Sequence, residues 1–218
     1  MPAAVLIVAS TRVHKDAQEI LRIQDTVSAL FSEGYAVDLL VPKLSPLLSA
    51  ALDSAVRIFT VPEFPLCGNP PPRASIRRFF TAAMMVLRGI ALVARHDYTL
   101  LHGVNDGSII ARTIDNLTIS THPCIAEFHT PFAEPKRHHG LRTAIARSLE
   151  NRAFRRAAAV VLPDADTLAF FSRKLSRARV SLIPDPHAEL SPDAFTVGEF
   201  NSALAHVYEY VLRPRFEN

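Results

Sequence analysis

Two hydrophobic rhythms alternate along this chain. Short apolar runs recur at 4–10, 35–41, 55–60, 98–102, 124–128, 158–162 and 180–183, each bounded by polar residues, proline or glycine. Runs this short and this apolar predict strands buried on both faces of a sheet. Between them the apolar positions fall three and four apart. Ile20, Leu21, Gln24, Val27, Leu30 and Phe31 lie near helical spacing in 16–31, and Gly34 stands where a helix would stop. Further helices are predicted at 45–52, 74–95, 106–116, 141–157 and 164–176, with Asp106 as an N-cap candidate. Pro62, Pro65, Pro70, Pro71 and Pro72 exclude regular structure between the third strand and the long helix, and 130–140 reads as loop. Strands separated by helices require crossover connections, so the pattern predicts an α/β domain over 1–183. It has three layers: a mostly parallel sheet of about seven strands with helices on both faces. Residues 184–196 read as a linker. Val197, Phe200, Leu204, Val207, Tyr208, Val211 and Leu212 then place one apolar stripe on a helix within 197–218, which is expected to pack back on the domain.

Composition narrows the function classes. The 218 residues are 49% hydrophobic and 21% charged, which suits one globular core and is too short for two ordinary domains of this kind. A net charge of +3, without clusters of Lys and Arg interleaved with aromatic residues, argues against a nucleic-acid partner. Cys67 and Cys124 provide no disulfide framework and no CxxC spacing, which points to a reducing, cytoplasmic setting. The first apolar run has no basic region before it and ends at Ser10, Thr11 and Arg12, so it reads as a strand and not as a signal peptide.

The loops at the carboxyl ends of the strands are where chemistry is expected in such a sheet. The loop after the first strand, Ser10 to Asp16, contains no glycine. That excludes both the dinucleotide fingerprint and the P-loop, which need glycine for a tight turn and close approach to phosphate. Arg12 and Lys15 in that loop are candidate contacts for an anionic substrate group. Nine histidines raise a metal site as a question, but His138 and His139 are adjacent and no His-x3-His helix occurs, so no metal is expected. No Gly-x-Ser-x-Gly elbow is present either. Arg73, Arg77, Arg78, Arg88 and Arg95 punctuate an apolar helix that has no acidic residue, a composition able to rest on an anionic membrane surface. Spanning is disfavoured, because Arg88 at the bilayer centre would cost about 2.5–3.5 kcal/mol.

Five segments, in order, resemble the N-terminal half of a family-4-type glycosyltransferase of GT-B fold. They are Ala4-Val5-Leu6-Ile7-Val8 with Gly34-Tyr35-Ala36-Val37-Asp38-Leu39-Leu40-Val41, then Tyr98-Thr99-Leu100-Leu101-His102-Gly103, then Ile125-Ala126-Glu127-Phe128-His129-Thr130. Ala157-Ala158-Ala159-Val160-Val161-Leu162-Pro163 and Val180-Ser181-Leu182-Ile183-Pro184-Asp185-Pro186 complete the series. The similarity runs over roughly 4–186, departing where Val13-His14-Lys15 replaces paired glycines and Asp185-Pro186 replaces Asn-Gly. It implies a Rossmann-like domain, half of a GT-B fold, whose cleft would carry His129 as the catalytic histidine with His102 and Asn105 as further substrate contacts. The Glu-x7-Glu region that holds the donor sugar in that family has no counterpart here, and the last helix resembles the one that returns from the second domain.

The resemblance therefore implies the acceptor-binding half of a glycosyl transfer system, inactive alone and holding no cofactor of its own. A nucleotide sugar would be the donor, supplied across the cleft by a partner. Expected partners are a protein or a second copy over the cleft face, a sugar or glycolipid acceptor, and a weak anionic membrane contact through Arg73, Arg77 and Arg78. The corresponding location is cytoplasmic, peripheral at the inner face of the membrane. The alternative is a non-catalytic binding or assembly domain that kept the fold.

Overall fold

The computed structural model describes residues 3–9, 17–43, 46–52, 55–62, 74–118, 122–129, 141–171, 179–184, 186 and 195–213. Strands and helices alternate from the start: β1 (Ala4–Val8), α1 (Ala17–Ser32), β2 (Ala36–Val41), α2 (Pro46–Ala51), β3 (Arg57–Thr60), α3 (Ala74–Val93) and β4 (Tyr98–Val104). They continue as α4 (Asp106–Leu117), β5 (Cys124–Glu127), α5 (Leu141–Arg156), β6 (Ala159–Leu162), α6 (Ala165–Phe171), β7 (Arg179–Leu182) and α7 (Val197–Leu212). The seven strands form one sheet in the order β3-β2-β1-β4-β5-β6-β7. Every pairing is parallel. The sheet is thus wholly parallel where the sequence pattern predicted a mostly parallel one, and it is the α/β Rossmann-like fold expected.

The period of two along each strand divides the core. Val5 and Ile7 of β1 face one layer together with Leu39 of β2 and Val161 of β6, where Ile20, Ile23, Val27 and Leu30 of α1 meet Phe200, Leu204, Val207 and Tyr208 of α7. Leu6 and Val8 face the opposite layer, against Met85 and Leu92 of α3 and Ile110 and Ile114 of α4. A smaller cluster under α5 and α6 is aromatic. Phe128 stacks on Phe154 with ring centroids 4.3 Å apart and 16° between planes, and Phe171 closes on Phe154 at 4.3 Å.

Two expectations need correction at the end of β4. The strand runs past residue 102 through Gly103 and Val104, because these pair with Ala126 and Glu127 of β5. Asp106 is accordingly the first residue of α4, and Asn105 takes the N-cap position, with φ 53° and no capping hydrogen bond from its side chain. Gly107 admits the following close approach: a Cβ there would lie 2.1 Å from the Val8 carbonyl oxygen. At the far end, α7 begins with a capping box in which Thr196 and Glu199 each satisfy the other's backbone N–H.

Strand order reverses between β1 and β4, each of which has its successor on the opposite side. That switch point places a crevice at the carboxyl ends of β1, β4 and β5.

Two outcomes follow from this packing. Phe154→Ala should cost about 3–5 kcal/mol, because the ring is fully buried between two others, and lower the thermal midpoint by roughly 10 °C. Calorimetry that found a midpoint within a degree of the parent would contradict the stacked cluster. Cys124 is buried and desolvation pushes its thiol up to about 12, so thiol reagents should leave it unmodified in the native protein and label it on unfolding. Peptide mapping after native labelling reads this directly, and modification at Cys124 before unfolding would refute the burial.

Candidate functional site

The carboxyl edge of β4 and β5 gathers ionisable and amide side chains from four elements. Glu127 ends β5, and residues two apart on an extended chain share a side, so Glu127 and His129 project together while Phe128 turns into the aromatic cluster. The His129 ring nitrogen Nε2 is 2.7 Å from Glu127 Oε1. Its backbone N–H donates to Asn105 Oδ1 at 2.8 Å. Asn105 in turn donates its own N–H to the Glu127 carbonyl at 2.7 Å and its side-chain amide to Glu19 of α1. Asn105 is the one non-glycine residue with positive φ among the described residues. A strained backbone of this kind persists only where surrounding bonds hold it, as these three do.

Behind this edge lies a fully enclosed layer. Arg22 of α1, 1% exposed, donates Nε to Glu127 Oε1 and Nη2 to the Ile183 carbonyl at 3.1 Å, and its guanidinium lies 5.0 Å over the Phe200 ring of α7. His102 of β4 places Nε2 3.0 Å from Glu127 Oε2, close enough for an ion pair but without hydrogen-bond alignment. Its Nδ1 meets the Tyr208 hydroxyl of α7, and the two rings pack edge to face at 5.6 Å. Ser108 Oγ donates to the Gly103 carbonyl at 2.7 Å, strapping the start of α4 to the end of β4.

The electrostatics have a clear direction. Burial by itself raises the pKa of Glu127, but the Arg22 charge and the His102 and His129 rings outweigh it and hold the carboxyl well below the usual range. Glu127 is therefore an anion and an acceptor only. The Tyr208 hydroxyl is pushed well above its ordinary value by burial and by the nearby Glu127 charge, so it stays protonated. The His102 ring lies between them, with Nδ1 against the Tyr208 hydroxyl and Nε2 toward the carboxylate.

Sequence reasoning selected His129, His102 and Asn105, and the structure brings these three together. They differ in access: His129 is 17% exposed at its side chain, whereas the His102 ring is wholly enclosed. Arg12, Lys15 and Arg73 lie outside the described residues, as does the loop 130–140. Arg77 and Arg78 are exposed near the start of α3. Glu127, Arg22, Glu19 and Tyr208 were missed. The available signal was a single acid inside the apolar segment 124–128 and a single base between Leu21 and Ile23 on α1. Among the described residues, no group of His, Cys, Asp and Glu is arranged to hold a metal ion.

Comparison with known proteins places this geometry. The chain matches a sucrose-phosphate synthase from Thermosynechococcus elongatus with TM-score 0.63 at 16% identity, over 84% of this chain and 48% of that one. The chain thus spans about half the length of that synthase. A form of the same synthase described by the ranges 27–220 and 406–426 matches with TM-score 0.60 at 18% identity, over 96% of this chain and 97% of that one. A UDP-GlcNAc 2-epimerase from Methanocaldococcus jannaschii matches with TM-score 0.54 at 7% identity, over 96% of this chain and 50% of that one. No curated protein sequence matches the chain. At these identities the structures establish the fold, which both a synthase and an epimerase use. The model for Glycosyltransferase Family 4 matches residues 22–186, from Arg22 through both strand-end histidines to the turn after β7, and the chain belongs to that family.

Proposed function

We propose that this chain is the acceptor-side half of a glycosyl transfer system. A hydroxyl-bearing acceptor, a sugar or the sugar headgroup of a glycolipid, binds at the carboxyl edge beside His129, and the complementary half holds the nucleotide sugar across the cleft. The observation that carries this reading is the His129 ring, partly exposed at the switch-point crevice and anchored 2.7 Å from a buried carboxylate. An imidazole so held can exchange a hydrogen bond or a proton with a hydroxyl at neutral pH. Arg12 and Lys15, from the segment between β1 and α1, are assigned to an anionic group on the acceptor, and Asn105 to the floor of the site. His102, enclosed between Tyr208 and Glu127, acts on the site from behind.

The second reading, a binding or assembly domain without chemistry, draws on a specific observation too. Both polar groups of the Asn105 side chain are bonded within the protein, to Glu19 and to the His129 backbone, so an acceptor gains little from it. The two readings part at His129, which only the first requires to meet a sugar.

We further propose that α3 rests weakly on anionic lipid. Arg77 and Arg78 are exposed in its first turns, beside Phe79, 77% exposed, and Leu87, 61% exposed, lies further along the helix. Exposed apolar and basic side chains on one helix favour an anionic interface. Among the described residues no helix is long and apolar enough to cross a membrane.

A panel of free sugars and glycolipid headgroups, titrated against the protein and followed by histidine ring resonances, should move the His129 signals. His129→Ala should then weaken binding about tenfold, the loss expected for one hydrogen bond in a partly enclosed site. If no member of the panel shifts His129 at millimolar concentration, the acceptor assignment fails. For α3, cosedimentation should favour vesicles with anionic lipid over neutral ones, decline with salt as screening shortens to about 8 Å, and fall severalfold for Arg77→Glu with Arg78→Glu. Equal sedimentation with both vesicle types would exclude the contact.

A further inference from the structure

A carboxylate at position 127 is expensive. The segment around it is apolar, the residue is 1% exposed, and transferring an ion to such a place costs several kcal/mol even after relaxation. An apolar residue there would suit a strand packed on both faces, so the acid needs a reason. Arg22 balances its charge but does not use all of its acceptor capacity. The remaining reach of Oε1 goes to His129, 2.7 Å away, and Oε2 faces His102 at 3.0 Å.

We propose that Glu127 is the positioning residue for His129. It holds the imidazole as the Nε2–H tautomer and leaves Nδ1 as the lone-pair nitrogen for the acceptor. The inference rests on the reading of His129 as the group that meets the acceptor. Because Glu127 is an anion, it can only accept, so the neutral ring must place its proton on Nε2. The ring also cannot drift, since the His129 backbone N–H is fixed to Asn105 Oδ1 at one end and Nε2 to Glu127 at the other. The carboxylate is immobilised in turn by groups from three other elements. Arg22 of α1 is tied to the Ile183 carbonyl and lies over Phe200, and His102 of β4 is backed by the Tyr208 hydroxyl. This is the arrangement by which an oriented carboxylate sets the tautomer of a working histidine.

Nitrogen-detected or long-range proton–nitrogen spectra of the histidine rings in the full chain test this without any acceptor. The parent protein should show His129 in a single Nε2–H form at neutral pH. Arg22 and His129 share Glu127 Oε1, so the informative change is Glu127→Met, which keeps the length of the side chain and removes the acceptor; the single Nε2–H signature of His129 should then be lost. If Arg22 left without a charge partner prevents that variant from folding, Glu127→Asp keeps the charge but withdraws it by one methylene, and a loss of the single-tautomer signature is expected instead. An unchanged His129 signature in either folded variant overturns the proposal, whatever the acceptor data show. Acceptor affinity is read separately, with the free-sugar panel as probe. A changed tautomer accompanied by a severalfold loss of affinity upholds both readings. If the tautomer changes while neither His129→Ala nor Glu127→Met alters binding, the positioning role stands and the assignment of His129 to the acceptor falls.

Discussion

The ion pair between Arg22 and Glu127 is the constraint around which the rest of this structure is organised. Neither side chain has appreciable contact with water, and each alone would be an uncompensated charge in a low-dielectric interior. The pair satisfies itself only if α1 lies across the ends of β5 and β7, because Arg22 must reach Glu127 and the Ile183 carbonyl at once. That requirement fixes the position of α1 over the sheet more sharply than its apolar stripe does. A hydrophobic face tolerates a small rotation, whereas two directed bonds from one guanidinium do not.

The tail enters the same constraint. Phe200 covers the Arg22 guanidinium, Tyr208 closes the far side of His102, and Tyr35 packs against Tyr208 with ring centroids 5.9 Å apart. Helix α7 therefore contributes more than apolar area to the layer it shares with α1. Its aromatic residues wall off the charged pair from solvent, which is the condition for the Coulombic interaction to be strong. The two chain regions that meet here are far apart in sequence and share no local signal.

The comparisons draw a boundary between fold and chemistry. A synthase and an epimerase are superposable on this sheet at identities too low to carry residue roles. What they have in common is the doubly wound sheet and its crevice, whereas the groups at the strand ends decide what the crevice does. In this chain those groups are a partly exposed imidazole and a carboxylate kept charged behind it. The backbone strain at Asn105 and the close approach of Gly107 to Val8 belong to the same corner, where α4 is drawn tight against the ends of β1 and β4.

The succession of elements is legible along the chain, since period two and period 3.6 are local properties and each apolar run is short enough to be a buried strand. It also marked the strand-end histidines, because the loops at the carboxyl ends of a parallel sheet are predictable from element order. The end of β4 was misplaced: Gly103 and Val104 belong to the strand through their pairing with Ala126 and Glu127, which is a neighbour's property and not their own. Asp106 looked like a cap for the same reason, being a good capping residue whose backbone the strand had already committed to the first turn. Tyr208 stood on the apolar stripe of the last helix and Glu127 inside a resembling segment, but no pattern marked the role of either, or of Arg22. Each is a single polar group in an apolar setting, and its meaning depends on which partner the crossovers deliver to it. Only the tertiary structure could decide that, because a buried charge is stabilised by the three-dimensional arrangement of its ligands and by nothing in its own neighbourhood of the chain.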